Sequence, residues 1–230
     1  MSITHFRRIE QKYLLNEEEY LNVLEELKPY LVEDEYFKSH IYNIYFDTRE
    51  NDFIIKSLEK PRFKTKLRLR SYGIPNKDSK VFLEIKQKYK GIVGKRRMEL
   101  TLKELDDYYK SKEKKSQIQK EIDYYFKKYS LEPKLFLAYD RDSYKGKEHS
   151  GLRITFDQNI RSRRENLRLE LGDGGEKLFD ENLYVMEIKS LHSLPLEITK
   201  ILSRLKIYPT SFSKYGKIYQ KNKKEEMRYI

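Results

Sequence analysis

The 230 residues contain no cysteine, which removes disulfides, thiol nucleophiles and cysteine-ligated metals and fits a reducing compartment. Four histidines, His5, His40, His149 and His192, are scattered without an HExxH-type pair, so no histidine-built zinc centre is expected. No apolar run approaches the roughly 18 residues of a spanning helix, and the opening MSITHFRRIEQKYLL lacks a signal-peptide core. A soluble, cytoplasmic protein is expected. Neither a tandem repeat nor a Pro/Gly/Ser-rich linker is present, so one domain over residues 1–230 is expected, with a basic tail at 221–230. Phosphate loops are missing as well. There is no Walker motif and no kinase glycine loop, and Gly172-Asp173-Gly174-Gly175 has only the character of a turn. Acid is in deficit, with 37 Asp and Glu against 49 Lys and Arg and a formal net charge of +12. That balance favours anionic partners: nucleic acid, an acidic membrane or phosphorylated small molecules.

What is present argues for a folded chain of strands. Hydrophobic residues make up 38%, with 20 Tyr and 11 Phe, enough for a core despite 37% charged residues. Period-two alternation predicts a strand over Phe6 to Leu15, with Phe6, Arg8, Glu10 and Lys12 on one face and Ile9, Tyr13 and Leu15 on the other. Asn16 then caps a helix ending near Pro29, with acids in its first turn. Further strands are expected at His40–Asp47, Phe63–Tyr72, Lys80–Tyr89, Gly94–Leu102, Leu135–Tyr144, Leu152–Phe156, Leu167–Glu170 and Leu183–Ser190. Leu102 to Tyr129 is charged and helix-favouring, its run Lys110–Lys115 reading as a solvated helix face, and a last helix is expected over Leu196–Lys206. Strands outnumber helices, connections are short and no βαβ rhythm occurs. The fold class expected is α+β: an antiparallel sheet or barrel with helices outside it.

Three strands repeat one triplet: Glu10-Gln11-Lys12, Glu84-Ile85-Lys86 and Glu187-Ile188-Lys189. Residues two apart on a strand share a face. Basic residues recur at that spacing in Lys66, Arg68 and Arg70 and in Lys95 and Arg97, while Lys88 extends the Lys86 face. Arg141 and Arg153 sit in otherwise apolar strands, with Thr155 and Asp157 on the Arg153 face. One such triplet is usually a solvent-facing pair worth little. Repetition on strands that are mostly basic is different, because like charges side by side cost energy unless an anion offsets them. Periodicity leaves open whether these faces look outward to water or inward to a lumen. The chemistry they suit is phosphoryl transfer, with Arg forks and Lys charges on phosphate oxygens and a carboxylate holding Mg²⁺ or Mn²⁺.

The order RRIEQKYLL, IYFDT, KLRLRSYG, FLEIKQK, KRR, YDRDSY, LRITFD, VMEIKS and SFSKYGK, over about residues 5 to 220, resembles the catalytic domain of the vacuolar transporter chaperone (VTC) complex. That domain is the polyphosphate polymerase branch of the triphosphate tunnel metalloenzymes, related to the CYTH proteins. The resemblance implies an antiparallel barrel forming a basic tunnel, and an ATP-dependent enzyme that passes the γ-phosphate onto a growing polyphosphate chain with Mn²⁺ or Mg²⁺. It implies catalytic roles for Arg68, Arg70, Lys86, Arg141, Arg153 and Lys189. Substrate contacts fall on Lys12, Lys66, Lys88, Lys95, Arg97, Ser213 and Lys214. Glu187 matches the metal-binding Glu of the late E-x-K strand, and Glu10 and Glu84 resemble the acidic metal ligands of other tunnel enzymes. The first motif is E-x-K and not E-x-E-x-K, which speaks against a CYTH-type cyclase or triphosphatase. A metal-dependent triphosphate or polyphosphate hydrolase remains the alternative, and a non-catalytic polyphosphate-binding module a third reading. With no RNP or helix-turn-helix motif, no specific nucleic acid is expected. The eukaryotic complex adds an inositol-phosphate-sensing SPX domain and membrane helices. This sequence shows neither, so translocation is expected to need a separate membrane-protein partner.

Overall fold

A computed structural model describes residues 9–59, 61–90, 92–108, 116–191 and 193–228. His5, Phe6 and Arg8, the run Lys110–Lys115 and His192 lie outside them. Nine strands are present: β1 (Ile9–Leu15), β2 (Leu31–Asp47), β3 (Phe63–Tyr72), β4 (Lys80–Tyr89), β5 (Ile92–Thr101), β6 (Glu132–Gly146), β7 (Arg153–Arg163), β8 (Glu176–Lys177) and β9 (Tyr184–Ser190). Six helices accompany them: α1 (Glu17–Leu27), α2 (Asp52–Leu58), α3 (Leu102–Tyr108), α4 (Gln117–Tyr129), α5 (Leu196–Arg204) and α6 (Lys214–Glu226). No described helix is long and apolar enough to cross a membrane.

The helix ends follow local chemistry. Asn16 accepts from the Glu19 amide while the Glu19 carboxylate accepts from the Asn16 amide, a capping box that starts α1 as expected. Ser116 and Gln119 repeat the device at α4. The stretch expected as one helix from Leu102 is thus described as two, α3 and α4. The buried Asp47 carboxylate accepts from the backbone amides of Phe53 and Ile54 at 2.9 and 3.0 Å, holding the start of α2. The Tyr215 hydroxyl of α6 donates to the same carboxylate at 3.2 Å. The segment Leu167–Glu170, expected as a strand, contributes instead to a 3₁₀ turn at Leu169–Leu171.

The strands form a large antiparallel sheet in the order β1-β9-β7-β6-β2-β3-β4-β5, with β8 beside β7. The expected closed barrel, and with it a barrel-walled tunnel, is not formed. The path is open, with β1 and β5 at its ends and no pairing between them among the described residues. Closure needs a matched register between first and last strands, and neither end offers one. The Lys12 carbonyl on β1 accepts from the Thr210 amide at 2.7 Å. Strand β5 presents exposed Lys95, Arg96, Arg97 and Glu99, the kind of charged edge that resists further pairing.

Contacts divide the chain into two compact units. The first comprises Met1–Ser39, Tyr139–Ile160 and Phe179–Ser213, and the second His40–Ala138, Arg161–Leu178 and Lys214–Ile230. In the first, Tyr13, Leu15, Ile154, Phe156, Met186 and Ile188 turn one sheet face onto Val23 and Leu27 of α1 and Ile198, Ile201 and Leu202 of α5. In the second, Ile44, Leu67, Leu69, Leu83 and Ile85 pack with Leu105 and Tyr108 of α3 and Ile122 and Tyr125 of α4. Apolar residues at period two thus bury beneath helices, and the alternate residues of the same strands are the charged ones.

Candidate functional site

In the first unit the pairing of β1, β9 and β7 sets two charged rows side by side. One is Lys12, Glu187 and Thr155, and the other Glu10, Lys189 and Arg153. Acid and base alternate along β1 and β9 and across that pair, while on β7 Arg153 faces Lys189 and Thr155 faces Glu187. Lys189 Nζ lies 3.0 Å from Glu187 Oε1, and Lys12 Nζ lies 3.7 Å from Glu10 and donates to the Phe212 carbonyl at 3.2 Å. Burial disfavours the Glu187 charge, but Lys189, Lys12 and Arg141 outweigh it and hold the carboxyl well below the usual range. Glu10 stands diagonally across from Glu187 on the same face and adds to the lowering, so two carboxyl groups lie among these cations.

Arg141 is fixed by Asp157, which is fully buried and takes the guanidinium bidentately at 2.6 and 2.8 Å. Burial works against the Arg141 cation and Asp157 overcomes it. Arg153 is oriented differently. Its Nε lies 3.1 Å from Asp34 and donates to Ser143 Oγ at 3.1 Å, while Lys145 pairs with Asp34 at 2.6 Å. Asp34, Ser143 and Asp157 are residues to which sequence reasoning gave no role. Asp34 stands between Glu33 and Glu35 and Ser143 follows Asp142, where nothing local marks them, and Asp157 shows only as an acid on the Arg153 face.

The second unit carries its own cluster on β2 to β5. Glu84 is 1% exposed, accepts from Arg68 Nε at 2.7 Å, and meets Lys95 Nζ at 2.5 Å and Arg70 Nε at 4.0 Å. Burial raises its proton affinity, and Arg68, Arg70 and Lys95 reverse the effect, bringing its pKa down to about 2. Asn43 and Tyr45, neighbours of Arg70 and Arg68 on β2, steady these guanidinium groups. Arg70 Nε donates to Asn43 Oδ1 at 2.9 Å and Arg68 donates to the Tyr45 hydroxyl at 3.1 Å. Neither Asn43 nor Tyr45 stands out in the sequence, because both lie in the largely apolar run HIYNIYFD. Burial would raise the Tyr45 pKa, but Arg68, Lys66 and Arg70 lower it to about 8. Lys95 also falls to about 8, through burial first and then Arg68 and Arg70, against the pull of Glu84.

Beside Glu84 runs a row of like charge. Lys66 pairs in register with Lys86, and Lys86 with Lys95, across three adjacent strands. Lys64 and Lys88 form the next pair outward. Arg97, opposite Glu84, lies over the Phe82 ring at 4.6 Å. Ser213 precedes α6 and Lys214 opens it. These charged faces lie opposite the helices yet hold some of the most buried polar groups of the chain: Glu84, Asp157 and Thr155 are each no more than 1% exposed. They are not ordinary solvent faces, the point that period two left open.

Among the described residues no group of three or more His, Cys, Asp or Glu converges as a metal cage. Mg²⁺ and Mn²⁺ do not need one, since one or two carboxylates plus phosphate oxygens and water suffice. The pair Glu10 and Glu187 fits that donor set. Glu84 does not fit it, because Arg68 and Lys95 engage both its oxygens.

A structure of a candidate adenylate cyclase from Bacillus halodurans superposes with a TM-score of 0.55 at 16% identity, covering 90% of this chain and 93% of that one. An adenylyl cyclase candidate from Hippeastrum, described as having a dominant triphosphatase activity, gives 0.49 at 16% identity over 90% and 93%. The PH1819 protein of Pyrococcus horikoshii gives 0.48 at 16% identity over 94% and 98%. At such identities the first likeness speaks to the fold alone. No curated protein sequence matches the chain. The family model of the VTC domain matches residues 7–222, nearly the whole sequence, and the chain belongs to the VTC-domain family.

Proposed function

We propose that the protein is a metal-dependent enzyme of phosphoanhydride bonds, acting on the terminal phosphoryl group of a triphosphate or polyphosphate. The observation that carries this reading is the row Lys66, Lys86 and Lys95, three cations abreast on hydrogen-bonded strands with Arg68 and Arg70 alongside. Glu84 offsets part of this charge at Lys95, Arg68 and Arg70, and phosphate oxygens lying along the row would offset more of it.

In the first unit Lys12, Lys189 and Arg141 supply positive charge beside Glu10 and Glu187, with Asp157 holding the plane of Arg141. Glu10 and Glu187 would hold a Mg²⁺ or Mn²⁺ ion, whose charge would further neutralise the bound phosphates. The side chains orient the phosphates and stabilise the charge that shifts to the leaving oxygen, which is where phosphoryl transfer gains most. Hydrolysis is the leading reading: water adds to the terminal phosphorus, the bridging P–O bond breaks, and inorganic phosphate leaves with a proton released. It needs no second phosphate acceptor. The VTC-family match favours a second reading, in which a terminal oxygen of polyphosphate replaces water, lengthening the chain by one unit and releasing ADP from ATP.

Incubation with ATP or tripolyphosphate and Mn²⁺ or Mg²⁺, followed by separation of long polyphosphate, ADP and free phosphate, tests both. Free phosphate without polymer is expected from hydrolysis, and polymer with ADP would replace it by the second reading. No turnover of either substrate would leave only binding.

A pH dependence follows from the second unit. Affinity for inorganic tripolyphosphate should fall as pH rises through about 8, where Lys95 loses its proton and Tyr45 gains a negative charge. The double variant Lys95→Arg with Tyr45→Phe should flatten this limb in calorimetric titrations, since Arg stays charged. For folding the Lys95 shift has the opposite sense. Its charged form is a cost below about 8 that fades as pH climbs toward 10.5, the value in the unfolded chain.

A further inference from the structure

We propose that the Thr155 hydroxyl is a binding group for the anion, donating a hydrogen bond to a phosphate oxygen in the first unit. The inference rests on the phosphate reading of that unit and adds to it a neutral donor that the charge pattern does not reveal.

Thr155 is 1% exposed, yet its Oγ1 makes no hydrogen bond among the described residues. Buried hydroxyls are ordinarily satisfied, because leaving one unpaired forfeits its hydration for nothing. Its surroundings make the exception informative. Thr155 stands opposite Glu187, which stands opposite Lys12, in one cross-strand row. Its chain neighbours Ile154 and Phe156 turn the other way into the core, so the hydroxyl shares the face of Glu187 and Lys189. Two residues on, Asp157 has both oxygens on Arg141. Glu187 is held by Lys189. These carboxylates already accept from cations, none of them accepts from Thr155, and the nearby cations are themselves donors. A hydroxyl here can be satisfied by an incoming acceptor, and the cations around it select an anionic one. Packing alone would be served as well by Val, which has the same branching and strand preference without the polar atom.

The test compares Thr155→Val with the unchanged protein in two measurements. Without anion, the melting temperature of the variant should equal or exceed that of the parent, because an unpaired hydroxyl has been removed. With inorganic tripolyphosphate in metal-free buffer, titration calorimetry should show binding about tenfold weaker. Thr155→Ser and Thr155→Ala differ from each other by the hydroxyl alone, and Ser should bind more tightly than Ala by a similar factor. This pair decides the matter if the Val variant fails to fold. Equal affinities in the presence of measurable parental binding would overturn the role of Thr155 and leave the phosphate site standing. A lower melting temperature with unchanged affinity would make the residue structural. Absence of parental binding would overturn both the inference and the reading beneath it.

Discussion

Glu84→Gln is expected to lower the unfolding free energy by about 3–5 kcal/mol, the cost typical of removing one partner from a buried ion pair. The carboxylate is 1% exposed and stands among Arg68, Lys95 and Arg70. The amide keeps the shape and one acceptor oxygen but withdraws the charge that offsets these cations, so their mutual repulsion is no longer compensated. Urea denaturation at neutral pH measures the loss. Two further readings separate electrostatics from packing. With a folded-state pKa of about 2 against 4.5 for the unfolded group, the contribution of Glu84 is complete above pH 4.5 and disappears as pH falls through about 2. The gap between parent and variant should therefore narrow in acid. Tripolyphosphate, by restoring negative charge beside Arg68 and Lys95, should raise the melting temperature of the variant more than that of the parent. A variant as stable as the parent would show that the cluster does not need its central anion.

The features visible in the sequence were those written within a single strand. The Glu-x-Lys triplets and the KLRLR run share faces by period two, and that periodicity correctly separated Leu67, Leu69, Leu83 and Ile85 from Arg68, Arg70, Glu84 and Lys86. Capping by Asn16 was equally local. What failed depended on distant partners. The pairing of Ile9–Leu15 with Tyr184–Ser190 decides that Lys12 meets Glu187, and no local pattern encodes it. Closure of the sheet is a relation between its first and last strands, and the inference from family likeness overshot there. Asn43, Tyr45 and Thr155 escaped assignment because each is a small departure in an apolar strand, given meaning only by the cation or carboxylate that long-range pairing sets beside it. The helix α6 was hidden by its composition: KYGKIYQKNKKEE buries only Tyr215, Gly216 and Ile218. Burial along these faces is mixed, with Glu84 and Thr155 covered and Lys88, Lys95 and Arg97 exposed, a detail that alternation does not contain.

Glu187→Gln should reduce metal-dependent turnover of ATP or tripolyphosphate by at least about 10²-fold, the scale seen when one preorganised electrostatic contact is withdrawn from a reacting centre. Its effect on stability should be smaller than that of Glu84→Gln, although both residues are buried glutamates held by cations. The difference lies in the partners. Lys189 and Lys12 keep about a quarter of their side-chain surface, 24% and 29%, and regain water when Glu187 is neutralised. Beside Glu84, Lys95 keeps 41% and can rehydrate, but Arg68 and Arg70 keep only 18% and 6% and are left as two buried cations. Binding should separate two contributions of Glu187. Without metal, tripolyphosphate should bind the variant at least as tightly as the parent, because a negative charge has been removed from beside Lys12, Lys189 and Arg141. With Mn²⁺ present, the parent should gain affinity for the ion in the presence of tripolyphosphate, and the variant should lose most of that gain, followed by the relaxation rate of water protons. Turnover that survives in Glu187→Gln would move the metal away from the Glu10 and Glu187 pair. Loss of turnover with undiminished Mn²⁺ binding would instead leave Glu187 as the residue that sets the charge of Lys189 and Lys12 around the phosphate.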